Sequence, residues 1–141
     1  ERDRDGLVEG VRNGTIQAIC SDHQPHDEDA KAAPFEETEP GISAVETLLP
    51  LTLRLAKDHD ISLSEALATV THPPAEILRI DAGTLSSGSL ANITIFDPEA
   101  WWRVTPQQLQ SAGKNSPFLN WELQGKVTHT LLNGQLVYEA R

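Results

Sequence analysis

The stretch "ICSDHQPHDEDAK", residues 19 to 31, gathers the side chains best suited to chemistry. An apolar run ends at Ser21, and Asp22, His23 and His26 follow at once. A carboxylate just past the end of a buried strand stands where α/β barrels keep their reactive groups. Asp22 there suits two jobs, ligating a divalent metal and accepting a proton. His26 can face the same cleft and offer an N–H to an anionic substrate, with Pro25 stiffening the turn between them. The same D-H-x-x-H spacing suits a surface loop whose histidines bond backbone groups. One carboxylate with one or two histidines is a thin metal shell, because zinc sites take three or four protein ligands. No other dense His/Cys cluster occurs in the sequence, so a complete site needs ligands from outside this chain.

A second candidate is "EPGIS", residues 39 to 43. Pro40 and Gly41 ahead of a helix start expose backbone N–H groups that suit an anion. An ordinary loop-to-helix junction with a helpful glycine accounts for the same residues.

The elements around these candidates read as α/β grammar. "DRDGLVEGVRNG" places Leu7, Val8 and Val11 on one helical face, with Asp3 and Asp5 in the first turn and Gly14 as a stop. "TIQAIC" reads as a short buried strand, and Cys20 within it as a buried, inert thiol. Residues 21 to 42 form a long polar loop, a length that usually signals function or disorder. Ser43 and Glu46 make a capping-box pattern for a helix kinked at Pro50, and Ser62 and Glu65 make a second. "HPP" ends that helix and "AEILRI" adds a further turn.

From Gly83 the pattern changes to turns and strands. A strand is expected over Ala91 to Phe96, then a brief helix capped by Thr105 with Pro106 in first position. "GKVTHTLLNGQLVYEA" reads as a hairpin about Asn133-Gly134, a strong turn signal. Adjacent Trp101 and Trp102 in a strand point to opposite faces. The expected organisation is an α/β unit over residues 1–82 and a mostly β unit over 83–141.

The whole chain sets bounds on function. Its 141 residues are enough to bury roughly 70% of the unfolded chain's surface. A net charge of −10 argues against nucleic acid or an anionic membrane surface as partner. No apolar stretch is long enough to span a membrane as a helix. One cysteine excludes an internal disulfide framework and fits a reducing, cytoplasmic setting. The chain has no methionine and begins at Glu1, which reads as a piece of a longer polypeptide.

"SDHQPHDEDAK…PF…EPGISAVETLLPL" resembles the C-terminal part of a dihydroorotase, in the cyclic amidohydrolase branch of the amidohydrolase superfamily. "GTLSSGSLANITIFDP" and "GKVTHTLLNGQLVYE" resemble the later motifs of that family in the right order, so the likeness covers nearly the whole chain. Hydantoinases and allantoinases keep the S-D-H portion without the second histidine, so His26 favours dihydroorotase. The resemblance implies the last strand and helices of a (β/α)8 (TIM-type) barrel, followed by part of a small β-sandwich. It implies metal-assisted, reversible interconversion of dihydroorotate and N-carbamoyl-L-aspartate in pyrimidine synthesis. Carried over by position, Asp22 would be a zinc ligand and general base. His26 would contact the substrate carboxylate, and Pro40 and Gly41 would help hold the substrate. The other zinc ligands of the family are absent here, so these residues alone are expected to be inactive.

Some positions depart from the active family. Ser21 and Gln24 stand where Thr and Ala are typical, Ala44-Val45 where Gly-Leu is common, and His72 precedes "PPAEIL". These features resemble a second group, non-catalytic dihydroorotase-like chains that assemble with aspartate carbamoyltransferase. Either membership implies an oligomer.

Overall fold

The computed structural model describes residues 2–140. Helix α1 spans Arg2–Arg12, α2 Val45–Asp58, α3 Leu63–Ala68 and α4 His72–Leu78. Strands β1 (Ile93–Arg103), β2 (Glu122–Leu132) and β3 (Gln135–Glu139) form one antiparallel sheet in the order β1-β2-β3. The chain is thus mixed α/β, helical first and stranded after.

The "TIQAIC" run, expected to form a buried strand, forms no ladder among the described residues; the nearby parallel bridge joins His23 to Ile42. A strand needs a neighbour to complete its backbone pairing. Here the segment is held by isolated bonds, Ile16 N–H to Gly10 O (2.8 Å) and Ile19 N–H to Thr69 O (2.9 Å). Cys20 is exposed, against the expectation of burial. It lines an open apolar groove of about 330 Å³ between this segment, α2 and Phe118. The groove leaves one flank of this segment uncovered, and the thiol with it.

Two small apolar clusters hold the chain. Ala56, Ile61 and Ala66 are buried together, with Val11 and Leu55 against them. Val11 is thus the residue by which the expected apolar face of α1 reaches the core, while Leu7 stays 61% exposed. Val104, Leu109 and Leu123 form the second cluster, joined by Leu51 of α2 and by Trp102. Leu51 therefore ties the helical part to the sheet. Trp102 packs inward while Trp101 is 63% exposed, as alternation along a strand demands.

The segment after Thr105 is a turn rather than a helix, with Gln108 and Leu109 N–H groups both donating to Thr105 O. One isolated helical turn is marginal in water, and burying Leu109 beside Val104 decides the conformation instead. Strand β1 is longer than the expected run and carries irregularities between Ile95 and Phe96 and between Asp97 and Trp101. The hairpin turn has Asn133 at φ 51° and Gly134 at φ 78°, the left-handed pair that its sequence demands. Helix α2 continues past the buried Pro50.

The Ser62–Glu65 capping box forms in full. Ser62 Oγ accepts from Glu65 N–H at 3.2 Å, and the Glu65 carboxylate accepts from Ser62 N–H at 3.1 Å. The Ser62 hydroxyl, and after it the Ser62 backbone N–H, holds the Glu65 carboxyl below the ordinary glutamate value. A lowered folded value means the box contributes fully above the unfolded glutamate value and is lost as pH falls through the folded one. Ser62→Ala should raise the Glu65 titration midpoint toward the ordinary value, as read from its carboxyl-carbon chemical shift. An unmoved midpoint would remove the hydroxyl as the cause.

Candidate functional site

Asp22 follows the "TIQAIC" segment with φ 44°, a left-handed conformation that aspartate tolerates better than most residues. Its own N–H donates to Cys20 Sγ at 3.3 Å. Its side chain is exposed, and the carboxylate stands without an intramolecular hydrogen bond among the described residues.

The two histidines do different work. His23 Nδ1 accepts from the N–H groups of Ala44 (3.0 Å) and Val45 (3.2 Å). Those are the first orphan donors of α2, so His23 caps this helix from a distant segment. A nitrogen accepting two N–H bonds carries no proton, which places the ring proton on Nε2. The Ser43–Glu46 capping box expected here does not form. Ala44 is the N-cap residue, without a side-chain cap bond. Glu46 instead accepts from Gln110 and Ser111 N–H groups, each at 2.9 Å. His23 has taken the cap, and the freed glutamate satisfies a loop far along the chain.

His26 turns its ring the other way. Its Nε2 lies 2.9 Å from Pro40 O, and since a carbonyl only accepts, the nitrogen donates. His26 and Pro40, singled out separately from sequence, are thus in contact. Gly41 follows with φ 105°, and a Cβ there would meet the Gln24 side chain at 2.5 Å. Glycine is therefore required by both backbone conformation and space. The Gly41 carbonyl accepts from Lys31 Nζ (2.9 Å) and Asn115 Nδ2 (3.3 Å). No hydrogen bond joins Asp22 to His26, Pro40 or Gly41 among the described residues. The helix N–H groups first expected to greet an anion at "EPGIS" are occupied by His23, as described.

Two contributors were not singled out from sequence. Asn115 bonds the backbone of this region from 89 residues away. Lys31 braces the loop from inside, its Nζ also bonded to Glu39 O. The context of Asn115, "GKNSP", carries no periodic signal for its role, while Lys31 falls within the "DAK…PF" stretch that carried the resemblance without being given a role.

The described residues hold no group of three or more His, Cys, Asp or Glu side chains that could hold a metal ion. His23 Nδ1 and His26 Nε2 are committed to the backbone, which leaves the Asp22 carboxylate and the His26 Nδ1 lone pair as the free donors of this motif. The chain does not fit a complete zinc site, which takes three or four protein ligands. These two donors are too few for one.

Comparison with known proteins gives this geometry its context. The Amidohydrolase family description matches residues 1–137. A dihydroorotase-like protein of Pseudomonas aeruginosa is 47% identical over 137 residues, covering 97% of this chain and 32% of its own length. A dihydroorotase of Syntrophus aciditrophicus is 44% identical over 137 residues, again 97% of this chain and 32% of its own. The chain thus spans about a third of the length of the curated relatives it matches. Among solved structures, the L-hydantoinase (dihydropyrimidinase) of Arthrobacter aurescens superposes with TM-score 0.84 at 29% identity, over 94% of this chain and 31% of that one. A D-hydantoinase gives TM-score 0.85 at 26% identity, over 98% of this chain and 32% of that one. An exposed acid, a histidine latched to a Pro-Gly turn, and a match running through residue 137 make one consistent picture, and the chain belongs to the amidohydrolase family.

Proposed function

We propose that this chain is the C-terminal portion of a dihydroorotase, hydrolysing the cyclic amide of dihydroorotate and closing N-carbamoyl-L-aspartate in the reverse direction. Residues 1–82 then contribute the last strand and helices of a (β/α)8 barrel, and 83–141 part of a β-sandwich. The observation that carries the reading is the contact of His26 Nε2 with Pro40 O, four residues along the chain from an unbonded Asp22 carboxylate. It places a ring and a glycine turn together and leaves an acid free.

Each residue has a role in that reading. Asp22 lends its carboxylate to a zinc ion whose other ligands come from outside this chain, and it accepts the proton released in hydrolysis. The metal, when bound, supplies Lewis-acid polarisation of the amide carbonyl. His26 donates Nε2–H to Pro40 O, so contact between its Nδ1 and a substrate carboxylate requires that nitrogen to carry a proton as well, in the imidazolium form. Gly41 N–H donates to no group among the described residues and can point at the same anion. The protein works in the cytoplasm as an oligomer, on a small molecule.

A second reading rests on the 47% identity to a protein named dihydroorotase-like. In it the same fold carries no turnover and supports an aspartate carbamoyltransferase. One sample of the full polypeptide, purified without chelators, separates the two. Bound zinc with dihydroorotate hydrolysis supports the enzyme. Absence of both, with carbamoyltransferase co-purifying, supports the scaffold.

In the enzyme, His26→Ala should raise KM for dihydroorotate about tenfold or more, the loss expected of one hydrogen bond to a charged group. Steady-state kinetics at fixed pH checks it, and an unchanged KM would remove His26 from the substrate site.

A further inference from the structure

We infer that Asn115 is a positioning residue that sets the spacing between His26 and Gly41. The inference deepens the dihydroorotase reading and rests on it for the roles of those two residues.

Asn115 spends every hydrogen-bonding group of its side chain on the two site segments. Its Oδ1 accepts from His26 N–H at 2.9 Å. Its Nδ2 donates to Gln24 O and to Gly41 O, both at 3.3 Å. Its backbone O accepts from Ser43 N–H at 3.1 Å. One residue therefore grips residues 24–26 on one side and 41–43 on the other. The chemistry fixes the orientation of the amide, because a flipped one would set NH₂ against an N–H and an oxygen against two carbonyls.

The platform beneath Asn115 is built for close approach. A Cβ on Gly113 would meet Pro25 Cβ at 2.6 Å and the His26 backbone N and O at 2.7 and 2.8 Å. The loop backbone thus lies flat against the Pro25–His26 peptide, and Gly113 is buried there. Lys114 Nζ bonds Leu109 O at 2.6 Å, folding the loop on itself. Glu46 in the first turn of α2 bonds Gln110 and Ser111 N–H groups, anchoring the loop to the helix that follows Gly41. Helix, loop and site segments form one braced unit, with Asn115 as its last link. Asn115 need touch no substrate to matter. It holds the His26 backbone and the Gly41 carbonyl, so the His26 ring and the Gly41 N–H present one fixed separation to an anion.

The test uses the full polypeptide carrying Asn115→Ala, with dihydroorotate as substrate and amide hydrogen exchange read in parallel. The expected result is a KM raised at least tenfold, kcat within about threefold of wild type, and faster exchange confined to residues 22–26 and 40–43. Should that variant not fold, Asn115→Asp replaces it. It keeps the acceptor for His26 N–H but sets a carboxylate oxygen against the Gln24 and Gly41 carbonyls, and the same pattern is expected. Unchanged KM with unchanged exchange overturns the inference. So does a loss of kcat with exchange raised across the whole chain, the mark of a merely structural role. If wild type does not turn over dihydroorotate, the function reading has failed, and exchange at the two segments alone decides for or against Asn115.

Discussion

Asp22→Asn in the full polypeptide should lower dihydroorotate hydrolysis by on the order of 10²–10⁴-fold, the range lost with a general base. The substitution keeps the shape of the side chain and a residue type that accepts φ 44°, while removing the charge. It should leave stability within about 0.5 kcal/mol, because the side chain is exposed and bonds nothing among the described residues. The dissociation of activity from stability is the informative part. Zinc content should fall too if the carboxylate is a ligand. Turnover within tenfold of wild type, with full zinc, would sink both roles given to Asp22.

Gly125→Ala should destabilise the protein by about 2–4 kcal/mol, summing a left-handed backbone penalty and an overpacked contact. Gly125 is buried in β2 with φ 98°, and its added Cβ would meet Leu53 Cδ1 at 2.3 Å and Pro50 Cα at 3.8 Å. Leu53 Cδ1 must swing away, while Pro50 Cα would sit at ordinary van der Waals distance and close that side of the space. The carbonyl of Gly125 also accepts from Trp102 Nε1 at 3.0 Å, so a shift of β2 would strain that bond as well. This is where helix α2 rests on the sheet. Loss of stability should therefore uncouple the two parts, visible as a denaturant midpoint lowered in tryptophan fluorescence. A midpoint unchanged from wild type would mean that α2 can move off β2 freely.

Signals confined to neighbouring residues were legible in the sequence. The Ser62–Glu65 box closes over three residues, and the Asn133-Gly134 turn over two, so both formed as read. The Ser43–Glu46 pattern has the same local logic and failed. His23, arriving through a parallel bridge to Ile42, supplied a better acceptor and released Glu46 to the 110–111 turn. The site shows the same division. Asp22, His26, Pro40 and Gly41 carry residue types with evident chemistry, and the structure brings His26 into contact with Pro40 while leaving Asp22 without a hydrogen bond to any of the three among the described residues. Asn115 is chemically ordinary, and its side chain reaches the site only through contacts separated by 74 to 91 residues, which no local pattern encodes. Cys20 misled for a related reason. An apolar run promises burial only if a neighbour covers it, and in this chain a groove lies there instead.

The loop between His26 and Pro40 is fastened at its base. His26 bonds Pro40, Lys31 bonds the Gly41 carbonyl, and Glu39 N–H bonds Ala30 O at 3.2 Å. Beyond that neck, residues 32 to 38 turn once, at Phe35–Glu37, with Phe35 almost wholly exposed. A tied neck makes the outer arc an exchangeable module. Doubling its length costs only about 0.6 kcal/mol in closure entropy, and the strain stops at the knot. Insertions and deletions in that arc would leave the His26–Pro40 and Lys31–Gly41 bonds at its neck in place, so its length and polarity can vary without disturbing the backbone on either side.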